Sequence, residues 1–181
     1  MATGEAKIEQ TEAGAVVASP GWFVLNMADV AWTRDRTGRG GEWANPGPED
    51  GEFEHYGIGI HVLHPGERNG LYHSESVQED FLVISGECLL LVEEEERPLK
   101  AWDFVHCPPW TKHVIVASGS APLVVLAVGA RHEPEGLLYP VDETALKHGA
   151  GVSQETTDGD EAYAGMSEVV RTRYVEGELP F

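Results

Sequence analysis

Between Leu71 and Ser85, three side chains of types that bind cations share one parity: His73, Glu75 and Glu79. They stand at odd positions, together with Val77, Phe81 and Val83. Successive strand residues point to opposite faces, so a continuous strand over residues 71–85 places all six on one side. A face that served only a core would carry aliphatics there. Carboxylates turned inward must be paired, hydrated or bound to a metal, because an unpaired buried charge is very costly. The alternative is an edge strand whose whole set faces water. Val77, Phe81 and Val83 on the same face argue against it.

A second stretch, DFVHCPPWTKHVIV over residues 103–116, supplies His113 at the start of a strand, on the same face as Ile115. Two imidazoles and carboxylates from separate strands are a common donor set for a divalent ion. His61 and His64 read as structural. His106 and Cys107 are adjacent, so on a strand they face opposite sides, and parity leaves open which faces inward. Cys88 and Cys107 lack CxxC spacing and fall in strand-like segments, where cysteine behaves as a small buried hydrophobe.

These residues need elements to position them. Between residues 56 and 130, short apolar runs recur about every ten residues with turn signals between them, as in a β-sandwich or barrel. Strands are expected at 56–63, 71–85, 88–92, 102–107, 112–117 and 123–128. The four glutamates at 93–96 read as a solvated turn. Residues 1–20 are expected to be a flexible N-terminal arm, and 22–30 an edge strand. Residues 33–54, rich in Gly, Pro and charge, are expected to form a loop or lid. A short helix is expected at 142–147, with Gly149 beyond its end. Residues 154–160 read as loop, and 165–181 as either helix or extended tail.

The net charge of −19 over 181 residues argues against a nucleic-acid partner and against an anionic membrane surface. No apolar run is long enough to span a bilayer, and the acidic N-terminal segment does not look like a signal peptide. The expected location is the cytoplasm. Gly57-x-Gly59 lies within a strand and is not followed by a helix, so it is not a nucleotide fingerprint.

Residues 56–130 resemble the cupins. The first cupin motif, G(X)5HXH(X)3,4E(X)6G, is matched by Gly66, His73, Glu79 and Gly86, with Glu75 in place of the second His and one extra residue before His73. The second motif, G(X)5PXG(X)2H(X)3N, is matched in spacing by Trp102, Pro108, Trp110, His113 and Ala117. Both of its glycines are tryptophan here, and its Asn is alanine.

The resemblance implies an all-β double-stranded β-helix over residues 21–130, with a motif core at 56–130 and a partly helical C-terminal extension over 131–181. It implies a divalent metal (Zn, Fe, Mn or Ni) on His73, Glu79 and His113, with Glu75 in the fourth position or beside it. Two carboxylates and two imidazoles would leave a 2+ ion formally neutral and a weaker Lewis acid. With only one of the two carboxylates, Glu79 or Glu75, the set is two His and one carboxylate with open positions, as in non-haem iron oxygenases. Arg68, Tyr72 and Trp110 are expected near the barrel mouth, in contact with a small polar ligand. A homodimer through edge strands is expected. Three functions stay open: an oxygenase or isomerase, a non-catalytic binding or sensor module, and a metal-free structural barrel.

Overall fold

The computed structural model describes residues 4–37, 39–47, 53–131, 136–165, 168–177 and 179–180. Its strands are β1 (Ile8–Gln10), β2 (Ala15–Val17), β3 (Trp32–Asp35), β4 (Glu42–Ala44), β5 (Tyr56–Leu63), β6 (Ser74–Glu75), β7 (Glu79–Ser85), β8 (Glu87–Val92), β9 (Glu95–Lys100), β10 (Phe104–Cys107), β11 (His113–Ala117), β12 (Leu123–Ala130), β13 (Leu137–Leu138) and β14 (Val169–Thr172). The helices are α1 (Glu143–Lys147) and α2 (Gly159–Ala162).

A seven-stranded sheet in the order β10-β7-β12-β5-β4-β3-β14 and a three-stranded sheet in the order β11-β8-β9 make up most of this all-β fold. Alternation along the strands explains the packing. Leu63, Phe81, Val83, Leu123 and Val125 of the larger sheet pack with Leu90 and Ile115 of the smaller one. Even positions of β5 and β12 turn the other way. Val62 and Val124 there meet Trp32 in a second cluster.

Several expectations need correction. Residues 1–20, expected as a flexible arm, contain the hairpin β1–β2, and Ala15, Val16 and Val17 are buried. No strand forms at 22–30, where Trp22 and Val24 are exposed. The segment 33–54 holds β4 and most of β3 rather than only a loop; positions 38 and 48–52 lie outside the described residues. Local Gly and Pro content hid these strands, because what holds them is their pairing with β5 and β14.

The strand expected over 71–85 is broken at residues 76–78. β6 pairs with β13, whereas β7 pairs with β10 and β12, so the chain changes partners there. Of the four glutamates, Glu93 and Glu94 make a turn with positive φ, and Glu95 and Glu96 open β9. β9 is an exposed edge strand with Pro98 inside it, a composition that hides a strand from a hydrophobic pattern.

α1 forms where expected. Asp142 caps it, its carboxylate accepting the Ala145 N–H at 2.7 Å, and Gly149 has φ 65° just past its end. Residues 169–172 resolve the choice left open for the tail: they are extended, as β14. No helix among the described residues is long and apolar enough to cross a membrane.

Candidate metal centre

His73 and His113 face each other across an antiparallel bridge, each N–H reaching the other's carbonyl at 3.2 and 2.8 Å. Glu79 enters from the first position of β7. Each ring is fixed by its own backbone: His73 Nδ1 lies 2.6 Å from the Leu71 carbonyl, and His113 Nδ1 lies 2.9 Å from that of Thr111. A carbonyl only accepts, so Nδ1 carries the hydrogen, and in the neutral ring Nε2 presents a lone pair.

Both Nε2 atoms converge on Glu79 Oε2, at 3.5 Å from His73 and 3.2 Å from His113. One ligand atom from each residue lies within 4.8 Å of both others. His113 Nε2 and Glu79 Oε2 are buried and make no well-formed hydrogen bond. Orphaned buried acceptors in this arrangement fit a divalent cation.

Electrostatics follow from the geometry. Burial pushes the Glu79 carboxyl up, but the close approach of the His113 and His73 imidazoles outweighs it and holds the group far below its ordinary range. Burial pushes the His113 imidazole down, but Cys107 and Glu79 beside it lift it to about 10. Without an ion, the trio therefore holds a proton on His113 against a charged Glu79.

Glu75 stands apart. Its Oε1 is 3.7 Å from His73 Nε2, outside the three-residue group, and it lines the adjoining cavity. That cavity, about 710 Å³, also takes in Glu79, His61, Asn45, Arg131 and Arg171. Its origin is legible in one pair of strands. β5 and β12 match Leu63 with Leu123, His61 with Val125, Gly59 with Ala127, and Gly57 with Gly129. Side chains shrink along the ladder, so one end is packed core and the other is hollow. A Cβ on Gly57 would lie 2.9 Å from Arg131 Nη2, and one on Gly59 would lie 2.4 Å from Asn45 Oδ1. The two glycines make room for those polar groups.

The remaining sequence candidates disperse. Arg68 is buried and lines a second cavity rather than standing with His73, Glu79 and His113. Tyr72 is turned away, packed with Leu91, Val114 and Ala145, and its hydroxyl accepts the Glu94 N–H. Trp110 sits half-exposed at the rim, where its N–H donates to the Glu75 carbonyl at 2.6 Å. His106 faces outward to Asp80, while Cys107 faces inward beside His113.

Sequence reading missed three residues. His61, read as structural, lines both cavities, with its Nδ1 buried and unbonded. Burial pushes this ring down to about 4, against the pull of Glu79. Its position opposite Val125, on the face of Leu63, was the available signal. The Tyr139 ring lies tilted, 5.8 Å from that of His73, and Tyr163 lies 5.9 Å from Tyr139. Both come from the C-terminal extension, where no periodicity points to the site.

Comparison with known proteins agrees with this geometry. The family model described as Cupin domain matches residues 59–129. No curated protein matches the chain by sequence. Among solved structures, a cupin-superfamily sugar phosphate isomerase from Silicibacter pomeroyi is 21% identical, covering 78% of this chain and 81% of its own, with a TM-score of 0.50. A protein from Acidithiobacillus ferrooxidans, assigned as a sugar phosphate isomerase, is 29% identical over 54% of this chain, with a TM-score of 0.48. This chain spans 65% of that protein's length. A cupin-family protein with a double-stranded β-helix fold from Methanocaldococcus jannaschii is 24% identical over 49% of this chain and 90% of its own, with a TM-score of 0.42. Hollowed strand pair, paired histidines and matched family model lead to one assignment: residues 59–129 of this chain form a cupin domain.

Proposed function

We propose that the protein is a metal-dependent cupin enzyme acting on a small polar molecule, with a divalent ion held by His73, Glu79 and His113. The observation that carries this is the pair of Nδ1–carbonyl bonds, which fix both imidazoles with Nε2 turned to Glu79. Two imidazoles and one carboxylate leave positions open for a ligand. When bound, such an ion supplies Lewis-acid polarisation of a coordinated oxygen.

The chain's own residues then do the rest. The cavity at the hollow end of β5 and β12 receives the substrate beside Glu79. Phe81, 5.3 Å from the His113 ring, backs the imidazole with apolar surface. Glu75, outside the trio but on the cavity wall, is placed to move a proton on the bound molecule. This supports proton-transfer chemistry, as in an isomerase, over oxygen activation, although both fit the donor set.

The test has two stages. Metal content is measured on the purified protein and on His73→Ala and His113→Ala. Candidate substrates are then screened in deuterated water for exchange and for oxygen uptake. Stoichiometric metal that both substitutions remove, with exchange lost in Glu75→Gln, supports the reading. Bound metal with neither exchange nor oxygen uptake turns it into a binding or sensor module. Metal that ignores both substitutions sinks it.

Free, buried Cys88 and Cys107 support a reducing compartment, in keeping with the cytoplasm. The free edge of β10 exposes Trp102 and Phe104, which supports a homodimer through that strand. Sedimentation of Phe104→Lys checks it: a monomer is expected where the wild type is dimeric.

A further inference from the structure

A second cavity, about 380 Å³, lies beside the first and shares His61 with it. Arg68, Asn69 and Gly70 form one wall, with Trp43, Asp35 and Tyr163 around them. Arg68 is only 6% exposed. Its backbone is tied down, N–H to the Arg39 carbonyl at 2.9 Å, and it bridges Val116 of β11. Among the described residues, no hydrogen bond or ion pair engages its guanidinium. A buried, permanently charged group left in that state is costly, and native structures keep such a group where something else completes it.

The groups around Arg68 are donors. Asn69 Oδ1 is spent on the Ile115 N–H at 2.9 Å, which leaves its Nδ2 hydrogens to give. Tyr163 Oη accepts the Leu71 N–H at 3.0 Å, which leaves its own hydrogen to give. Gly70 makes room for that hydroxyl, since a Cβ there would lie 3.2 Å from it. Among the described residues that line the cavity, the one carboxylate, Asp35, is absorbed by its own loop: it accepts from Thr37 N, Thr37 Oγ1 and Gly40 N at 2.7 to 2.9 Å, and from Glu168 N at 3.4 Å. Burial and the neighbouring Arg39 push the Arg68 guanidinium down, while Tyr163 and Asp35 pull the other way. In a chain of net charge −19, a buried arginine whose nearest carboxylate is engaged elsewhere runs against the whole-molecule field.

We propose that this second cavity is an anion site, in which Arg68, with Asn69 and Tyr163, binds the carboxylate or phosphate group of a small molecule. Arg is suited to it because its planar fork matches two oxygens of either group. The proposal stands on geometry separate from the metal centre and does not depend on the function proposed there.

Thermal-shift and calorimetric titrations test it, with inorganic phosphate and succinate as separate probes. The protein is first treated with a chelator, so that phosphate cannot report on a metal, and sodium chloride at matched ionic strength is the control. The expected result is a saturable rise in Tm with one or both probes, and which one saturates identifies the group. Arg68→Met is expected to weaken binding about tenfold or more, the scale of one charge-assisted hydrogen bond. If that variant does not fold, Tyr163→Phe is read instead, with weakening of about threefold or more expected from one neutral hydrogen bond. No rise beyond the chloride control with either probe overturns the proposal. So does binding that the folded variants leave unchanged.

Discussion

His113 Nε2 stands 3.2 Å from Glu79 Oε2, with the far side of the same ring held by the Thr111 carbonyl. The imidazole can neither turn away nor shift its tautomer without losing that bond. Replacing Glu79 with Gln keeps the shape but puts either an amide N–H or a neutral oxygen at the convergence point. Glu79→Gln is therefore expected to lose bound metal as completely as His113→Ala, while Glu75→Gln retains it. Elemental analysis of the four proteins checks this.

Proton competition at His113 gives a pH dependence. In the ion-free protein this ring sits at about 10, above its ordinary 6.5. A raised folded value contributes stability that is complete below about 6.5 and is lost as pH rises through 10. Chelated protein should show a falling urea midpoint between pH 7 and 10. Metal must displace the same proton, so apparent affinity should rise by up to tenfold per pH unit over that range. Protein for which both quantities are flat across this range lacks the buried proton.

Trp102 and Trp110 occupy the two glycine positions of the second cupin motif and keep the backbone that glycine would have, with φ 72° and 67°. A left-handed conformation costs an L-residue about 1–2 kcal/mol. Trp102 is 76% exposed, so little packing offsets the strain. Trp102→Gly is expected to raise Tm, offset in part by the greater freedom of glycine in the unfolded chain. Trp110→Gly should gain less, because its ring packs over Gly136, where an added Cβ would lie 2.8 Å from it. Differential scanning calorimetry of the two variants decides the order.

The ladder from Leu63–Leu123 to Gly57–Gly129 separates stability from binding. Leu63→Ala, at the packed end, should cost about 2–5 kcal/mol in chemical denaturation. A Cβ on Gly129 meets only Glu79, at 3.8 Å or more, so Gly129→Leu fits by extending into the cavity. On the function proposed above, it should abolish turnover with a much smaller change in denaturation midpoint.

The barrel and the trio were legible in sequence because both follow from local rules. Period-two alternation marked β5, β7, β8, β11 and β12, and it put His73, Glu79 and His113 on inward positions even though the strand breaks at 76–78. What stayed hidden depends on distant partners. β3 and β4 are short and Gly-flanked, and β9 is polar and carries Pro98. Arg68 looks like a loop charge until the fold lays residues 67–69 along β11. Tyr72 follows the same rule in reverse: next to His73 in sequence, it points to the opposite side.

The C-terminal extension reaches back to the first motif at several points. β13 pairs Leu137 with Glu75, Tyr163 holds the Leu71 N–H, and Ala150 accepts the Tyr72 N–H at 2.7 Å. All four acidic and imidazole groups of the site are made by residue 113, before any of these three contacts exists. During synthesis the ligands therefore leave the ribosome ahead of the clamp that orders them. The nascent barrel has its donors early, and the rigid site is assembled only when the last third of the chain arrives.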